Sequence, residues 1–225
     1  MATILVGLLI GALGGAFNSV FIVNFKVPPI IVTLGTWTVF RGTAYVLTGG
    51  QLVFGFPKEF VWIATGRVLG IPIPVILAAL AFAFGYFLLH KTAYGSYLSA
   101  LGGNEEAAML AGINVRKVKF TVYVIAGILT GLAAVITSAR LDTAHPTAGI
   151  GYELNVIAAT VLGGTLLFGG RGLMIGTLIA VLFLQVLTNA MIMGGVGIYW
   201  QRVLFGFIFI LVVAIRAIRT EKQEI

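Results

Sequence analysis

The fold class this sequence predicts is an all-α, polytopic integral membrane protein, and three observations carry that expectation. The 225 residues are 60% hydrophobic and only 9% charged, with a mean hydropathy of +1.09. A soluble domain charges about a quarter of its residues, because its surface faces water. Seven apolar stretches, about 3–24, 29–48, 71–89, 118–139, 152–168, 172–193 and 199–216, each come near the ~20 residues a helix needs to cross a hydrocarbon core. Polar and basic residues collect in the connections between them, where backbone and charge can meet water. The expectation is a bundle of about seven spanning or partly spanning helices, forming a single transmembrane domain over 1–225.

The first span begins in a glycine-rich apolar run with no basic leader before it, so a cleavable signal peptide is not expected. Glycines recur four apart at Gly7, Gly11 and Gly15, at Gly127 and Gly131, and at Gly172 and Gly176. That spacing lets helix backbones approach closely in lipid. Packing inside the bundle is the expectation, and a homodimer seam the alternative. Pro28 and Pro29 open the second span and Pro72 and Pro74 the third, where a missing N–H costs nothing. The fifth stretch is the weakest, since it holds Glu153 and Asn155, and a half-buried or broken helix is the alternative there. Phe54, Phe56, Phe60, Trp62, Tyr199 and Trp200 lie near one set of span ends and Tyr94 and Tyr97 near the other, as an aromatic belt would.

Orientation follows from the basic residues. Lys26, Lys91, Arg116, Lys117, Lys119, Arg171, Arg216, Arg219 and Lys222 fall on one side, and Arg41, Lys58, Arg67, Arg140 and Arg202 on the other. The richer side is expected to be cytoplasmic. This puts the central loop, about 101–119, and the C-terminal tail, about 217–225, inside and the connections 49–70, 140–151 and 194–198 outside. With seven spans the N-terminus then lies outside, which suggests a fragment or short form of a longer protein, or one segment that does not cross. The net charge of +7 is explained by this asymmetry and does not call for nucleic acid.

The longest polar interruption is 101–119, LGGNEEAAMLAGINVRKVK. Asn104 suits an N-cap, Glu105 and Glu106 suit the positive end of a helix dipole, and Ala107 to Ala111 favour helix. Gly112 then suits the position just past the helix end. A short docking helix with small residues is expected between two spans.

Chemistry has little raw material. His90 and His145, the two histidines, are expected on opposite sides of the membrane, and there is no cysteine, no HExxH and no GxSxG. No catalytic residue, metal site or directly bound cofactor is expected. Gly164 to Arg171, GTLLFGGR, imitates phosphate-loop spacing, but Gly170 and Arg171 stand where Lys and Ser or Thr would be needed. A tight inner turn is expected there. Gln185 and Asn189 share a helix face, and so do Thr33, Trp37 and Arg41. Arg41, Gln185 and Asn189 are candidates for a polar translocation path, since charge and amide are costly in lipid. The alternative for them is interhelical hydrogen bonding, with Arg41 snorkelling outward. No span carries a buried Asp or Glu to couple proton or sodium flow.

Three stretches, VPPIIVTLGTWTVFRGTAYVLTGGQ, GGNEEAAMLAGINVRKVKFTVYVIAG and ARLDTAHPTAGIGYELNVIAATVLGGTLLFGGRG, resemble the permease subunit of ribose-type ABC sugar importers, the group that also serves xylose, arabinose and galactosides. The resemblance covers essentially the whole chain. It implies a permease domain in a bacterial plasma membrane that pairs with a second permease copy and with ABC ATPase subunits that use the ATP. It also implies that sugar arrives from a periplasmic binding protein. Gly102, Gly103, Asn104, Ala107, Ala108, Gly112 and Ile113 match the family's ATPase-docking pattern, with Glu105 between them. Pro146, Gly149, Gly151, Tyr152 and Glu153 would lie near the outer gate or the binding protein. Asn155 stands where the family usually has Asp, which leaves a negative charge there without support. The family also implies about a third more chain before this one. Two other readings compete with it: an ATP-independent channel or carrier for a small polar solute, and a membrane scaffold that transports nothing.

Overall fold

The computed structural model describes residues 2–166, 169–170 and 172–221. In chain order these form α1 (Ala2–Asn24), α2 (Pro29–Thr48), β1 (Val53–Phe54), α3 (Lys58–Thr65), β2 (Arg67–Val68), β3 (Ile71–Pro72), α4 (Ile73–Lys91), α5 (Ala93–Gly103) and α6 (Glu105–Leu110). They continue with α7 (Val115–Leu141), β4 (Thr143–Ala144), α8 (Tyr152–Leu162), α9 (Met174–Met193) and α10 (Ile198–Glu221). The protein is an all-α polytopic membrane protein. Among the described residues α1, α2, α4, α7 and α9 are long and apolar enough to cross a membrane. The predicted span 199–216 lies within α10.

The fifth predicted span, 152–168, is not a full-length helix. It is α8, 11 residues long, which at about 1.5 Å per residue reaches only about half-way through a hydrocarbon core. Gly163 and Gly164 end it, and Gly164 takes φ +105, a left-handed conformation that a helix cannot continue. Gly163 cannot be exchanged for a larger residue, because a β-carbon there would stand 2.4 Å from the Thr177 backbone of α9.

The chain forms two compact units. The first comprises residues 1–98 and 106–148. Its axis is the antiparallel pair α1 and α7. A β-carbon on Gly11 would stand 2.2 Å from the Gly127 carbonyl oxygen, and one on Gly131 would stand 2.4 Å from that of Gly7. The glycine spacing of these helices thus serves packing inside the bundle, where backbones meet without side chains between them. Short α3 lies on the C-terminal half of α7, and Phe60, Val135 and Ala139 form the core there. Phe60, expected in the aromatic belt, is instead buried and packs its ring on Phe56 at 4.9 Å, while Trp62 stays exposed.

Two small strand pairs also belong to this unit. β1 pairs antiparallel with β4, joining the 49–70 and 140–151 connections, and β2 pairs with β3. The second unit comprises residues 99–105 and 149–225. In it α8 packs on α9 and α10 through Ala158, Ala159 and Leu184, with Phe205 against them.

Candidate functional site

The polar segment 101–119 is ordered by its own sequence. Its last five residues extend α7, which is 27 residues long. Asn114 caps that helix by accepting the Lys117 backbone N–H at 3.1 Å, and Val115 and Val118 bury its first turn. Before it stands α6, the predicted short helix. Its end is a Schellman motif: Ile113 N–H donates to the Ala108 carbonyl at 3.1 Å and Gly112 N–H to that of Met109 at 3.0 Å. Gly112 takes φ +83, the left-handed value that closing this motif requires.

Ala108 is 3% exposed and seats the helix, while Glu105, Glu106 and Ala107 face outward. Met109 and Leu110 are 59% and 89% exposed, so the helix presents an apolar tip next to two carboxylates. That composition suits a protein partner better than water. Ile113 is half-buried behind it. Asn104 sits in the one-residue break between α5 and α6, its N–H still donating to Ala100 at 3.0 Å.

Gly102, in the last turn of α5, lies directly on the inner turn. A β-carbon on it would stand 2.2 Å from the Gly170 amide nitrogen, whereas Gly103 faces open space. Gly169 and Gly170 take φ +92 and +86. The structure therefore brings together two groups of residues that the sequence suggested separately, Gly102 of the docking segment and Gly170 of the turn. Gly164 opens the same turn, where the Thr165 and Thr177 hydroxyls meet at 3.4 Å. Arg171 lies outside the described residues.

Of the path candidates, Arg41 stacks its guanidinium over the Trp37 ring at 4.4 Å, which spreads its charge on the ring face. Gln185 and Asn189 lie together on the exposed side of α9, in the second unit, whereas Arg41 belongs to the first. The first unit also holds a cavity of about 990 Å³ beside α1, α2 and α7, lined by Asn18, Thr33, Thr36, Trp37, Phe40 and Thr130 among others. Asn18 Oδ1 is buried there with no hydrogen-bond partner among the described residues. The threonine hydroxyls mostly close on their own helices, Thr33 onto Pro29 at 2.9 Å and Thr130 onto Ala126 at 2.8 Å. Sequence reasoning missed Asn18. Its signal was an amide inside an otherwise apolar first span.

The gate candidates do not form one cluster. Pro146 is half-buried in the first unit, and Tyr152, Glu153 and Asn155 are exposed on the first turns of α8 in the second. Both Glu153 oxygens accept the Gly151 N–H at 3.2 Å, folding the carboxylate back on the helix start. Among the described residues no group of three or more His, Cys, Asp or Glu side chains could hold a metal ion.

Comparison with known proteins fits a membrane bundle. The family described as "Branched-chain amino acid transport system / permease component" matches residues 1–213. The chain belongs to this family. Relatives of the permease include the ribose import permease protein of Bacillus subtilis, 46% identical over 198 residues, which cover 87% of this chain and 62% of that one. The ribose import permease protein of Escherichia coli K12 is 42% identical over 219 residues, covering 96% of this chain and 68% of that one. The L-arabinose ABC transporter permease protein of Azospirillum brasilense is 36% identical over 218 residues, covering 97% and 64%. This permease chain thus spans about two thirds of the length of the relatives it matches. No solved structure matches it.

Proposed function

We propose that the chain is the transmembrane subunit of an ATP-driven importer of a monosaccharide. ABC ATPase subunits would dock on the cytoplasmic side, a periplasmic or extracellular binding protein would deliver sugar outside, and a second permease copy would complete the path. The observation that carries this reading is α6. It is a short helix between α5 and α7, closed at its C-terminal end by the Schellman motif and seated by Ala108, with Glu105, Glu106, Ala107, Met109 and Leu110 turned outward. A helix closed in this way and joined by one residue to α5 and by four to α7 would pass a push on to the bundle.

The basic asymmetry supports a cytoplasmic face for α6 and for the C-terminal tail, in a bacterial plasma membrane. Relatives named for ribose and arabinose support a polyhydroxylated monosaccharide as cargo. Arg41, Gln185 and Asn189 remain the path candidates, and Pro146, Tyr152, Glu153 and Asn155 the outer contacts. ATP is used by the partner.

Ala107→Trp tests the assignment, because Ala107 is exposed and the bulk falls on the docking surface without entering the fold. Membrane insertion should be normal. Co-purification with the ATPase and uptake of ribose or arabinose, in cells supplying ATPase and binding protein, should be lost. Unchanged uptake would remove α6 from the docking role.

A further inference from the structure

At the end of the first unit where α1 finishes and α7 begins, the two helices enclose a crevice of about 390 Å³. Its lining joins apolar and cationic side chains. From α1 come Val20, Val23 and the amide of Asn24, and from α7 the cations Arg116 and Lys117 with Phe120 and Thr121. These cations are the second and third residues of α7, at the positive end of its dipole. Neither is drawn into an ion pair among the described residues.

Ser19 also lines the crevice. It is 0% exposed, and its hydroxyl has no hydrogen-bond partner among the described residues. Many threonine hydroxyls in the spans close on a carbonyl of their own helix, as Thr121 does on Lys117 and Thr137 on Ala133. Ser19 does not. A buried hydroxyl left unpaired costs free energy until something accepts from it.

The geometry points to a binding site for the phosphate of an anionic lipid headgroup, with the acyl chain lying along Val20, Val23 and Phe120. A free phosphate would use the cations but not the apolar side chains. The crevice stands at the end of two spans, the level at which headgroups pass into hydrocarbon, and basic pockets between helices at that level suit such lipids. None of this depends on which solute the protein carries.

The test is native mass spectrometry of the purified full chain after exchange with phosphatidylglycerol, with phosphatidylcholine as the neutral reference. The chain should retain phosphatidylglycerol in preference. Arg116→Gln with Lys117→Gln should weaken retention about tenfold or more, while Arg116→Lys with Lys117→Arg, which keeps both charges, should retain it. Lys58→Gln with Lys91→Gln removes the same charge from exposed positions outside the crevice and should change nothing. Equal retention by the charge-neutralised crevice variant would overturn the proposal. So would equal loss from Lys58→Gln with Lys91→Gln, or displacement of the lipid by inorganic phosphate.

Discussion

The last turn of α5 rests backbone to backbone on the glycine turn before α9, with Gly102 so close to Gly170 that a β-carbon would stand 2.2 Å from the Gly170 nitrogen. Gly103, the next residue, has nothing within 4 Å. The two glycines therefore separate a packing role from a merely local one. Gly102→Ala must push the turn away and should destabilise the protein by about 1–3 kcal/mol, with uptake falling alongside. Gly103→Ala should be neutral or gain a few tenths of a kcal/mol from better helix propensity. Thermal unfolding in detergent and uptake assays on the two variants check the contrast.

The α1 and α7 pair makes the same point at larger scale. Gly11 and Gly127 each present bare backbone to the other, with added β-carbons at 2.2 and 2.1 Å from the facing carbonyl oxygens. Gly127→Ala should therefore cost about 1–3 kcal/mol, because neither backbone can yield without separating the helices. Gly35→Ala, on α2 with open space around it, should leave the unfolding temperature within error.

What could be read from the sequence follows from which signals are local. Hydrophobic length fixed α1, α2, α4, α7 and α9 to within a few residues, since lipid imposes one length on every span. Helix-ending chemistry located α6, and Gly112 fell where a left-handed residue was needed. At 152–168 the same reasoning left a full span and a half-buried or broken helix both open, and the structure takes the shorter form, because Gly163 at the end of α8 packs closely on α9, a contact 13 and 14 residues away in Gly176 and Thr177. It also missed α3 and the strand pairs, because amphipathic segments of 2–8 residues are too short for their period to show. Phe60 looked like a belt aromatic and proved to be core, since only tertiary contact with Val135 and Ala139 decides between the two. The site divided along the same line. The short helix α6 was legible from neighbours in sequence, whereas the meeting of Gly102 with Gly170 and the cavity beside Asn18 were not.

Gly112 offers a graded test of the docking helix. Its φ of +83 costs a residue with a β-carbon about 1–2 kcal/mol. Gly112→Ala should loosen the end of α6, and Gly112→Asn, better tolerated in the left-handed region, should do so less. Hydrogen exchange at the Gly112 and Ile113 amides, which close the Schellman motif, should accelerate in that order, and ATPase coupling should fall in parallel.

Tyr94 ties α5 to the start of α7, its hydroxyl donating to the Val118 carbonyl at 3.1 Å. Burial raises its pKa above the ordinary 10.0, only partly opposed by a hydrogen bond with Thr121. The folded protein thus holds this proton more tightly than the unfolded chain. The resulting stability is full below pH 10.0 and is lost as pH rises through the higher folded value. Tyr94→Phe should remove about 1 kcal/mol at neutral pH through the lost hydrogen bond. It should also flatten the alkaline fall in stability relative to the parent, as followed by thermal unfolding between neutral pH and pH 11 or so.

The pairing of β1 with β4 allows the arrangement of the connections, and then their sidedness, to be tested in one chain. Phe54 stands opposite Thr143, and Val53 opposite Ala144. Opposed residues of an antiparallel pair have Cα atoms about 4.5–5.5 Å apart, inside the range a disulfide can bridge. The sequence contains no cysteine, so Val53→Cys with Ala144→Cys introduces the only two thiols. Oxidation should join them and speed migration of the denatured chain, whereas Val53→Cys with Thr65→Cys should give no such product. A membrane-impermeant thiol reagent added to intact cells should block the cross-link if 49–70 and 140–151 face outward, as the basic asymmetry requires. Cross-linking that survives this reagent but yields to a permeant one would place both connections inside. Glu106, which precedes α7 while β4 follows it, would then lie beyond the reach of any cytoplasmic ATPase.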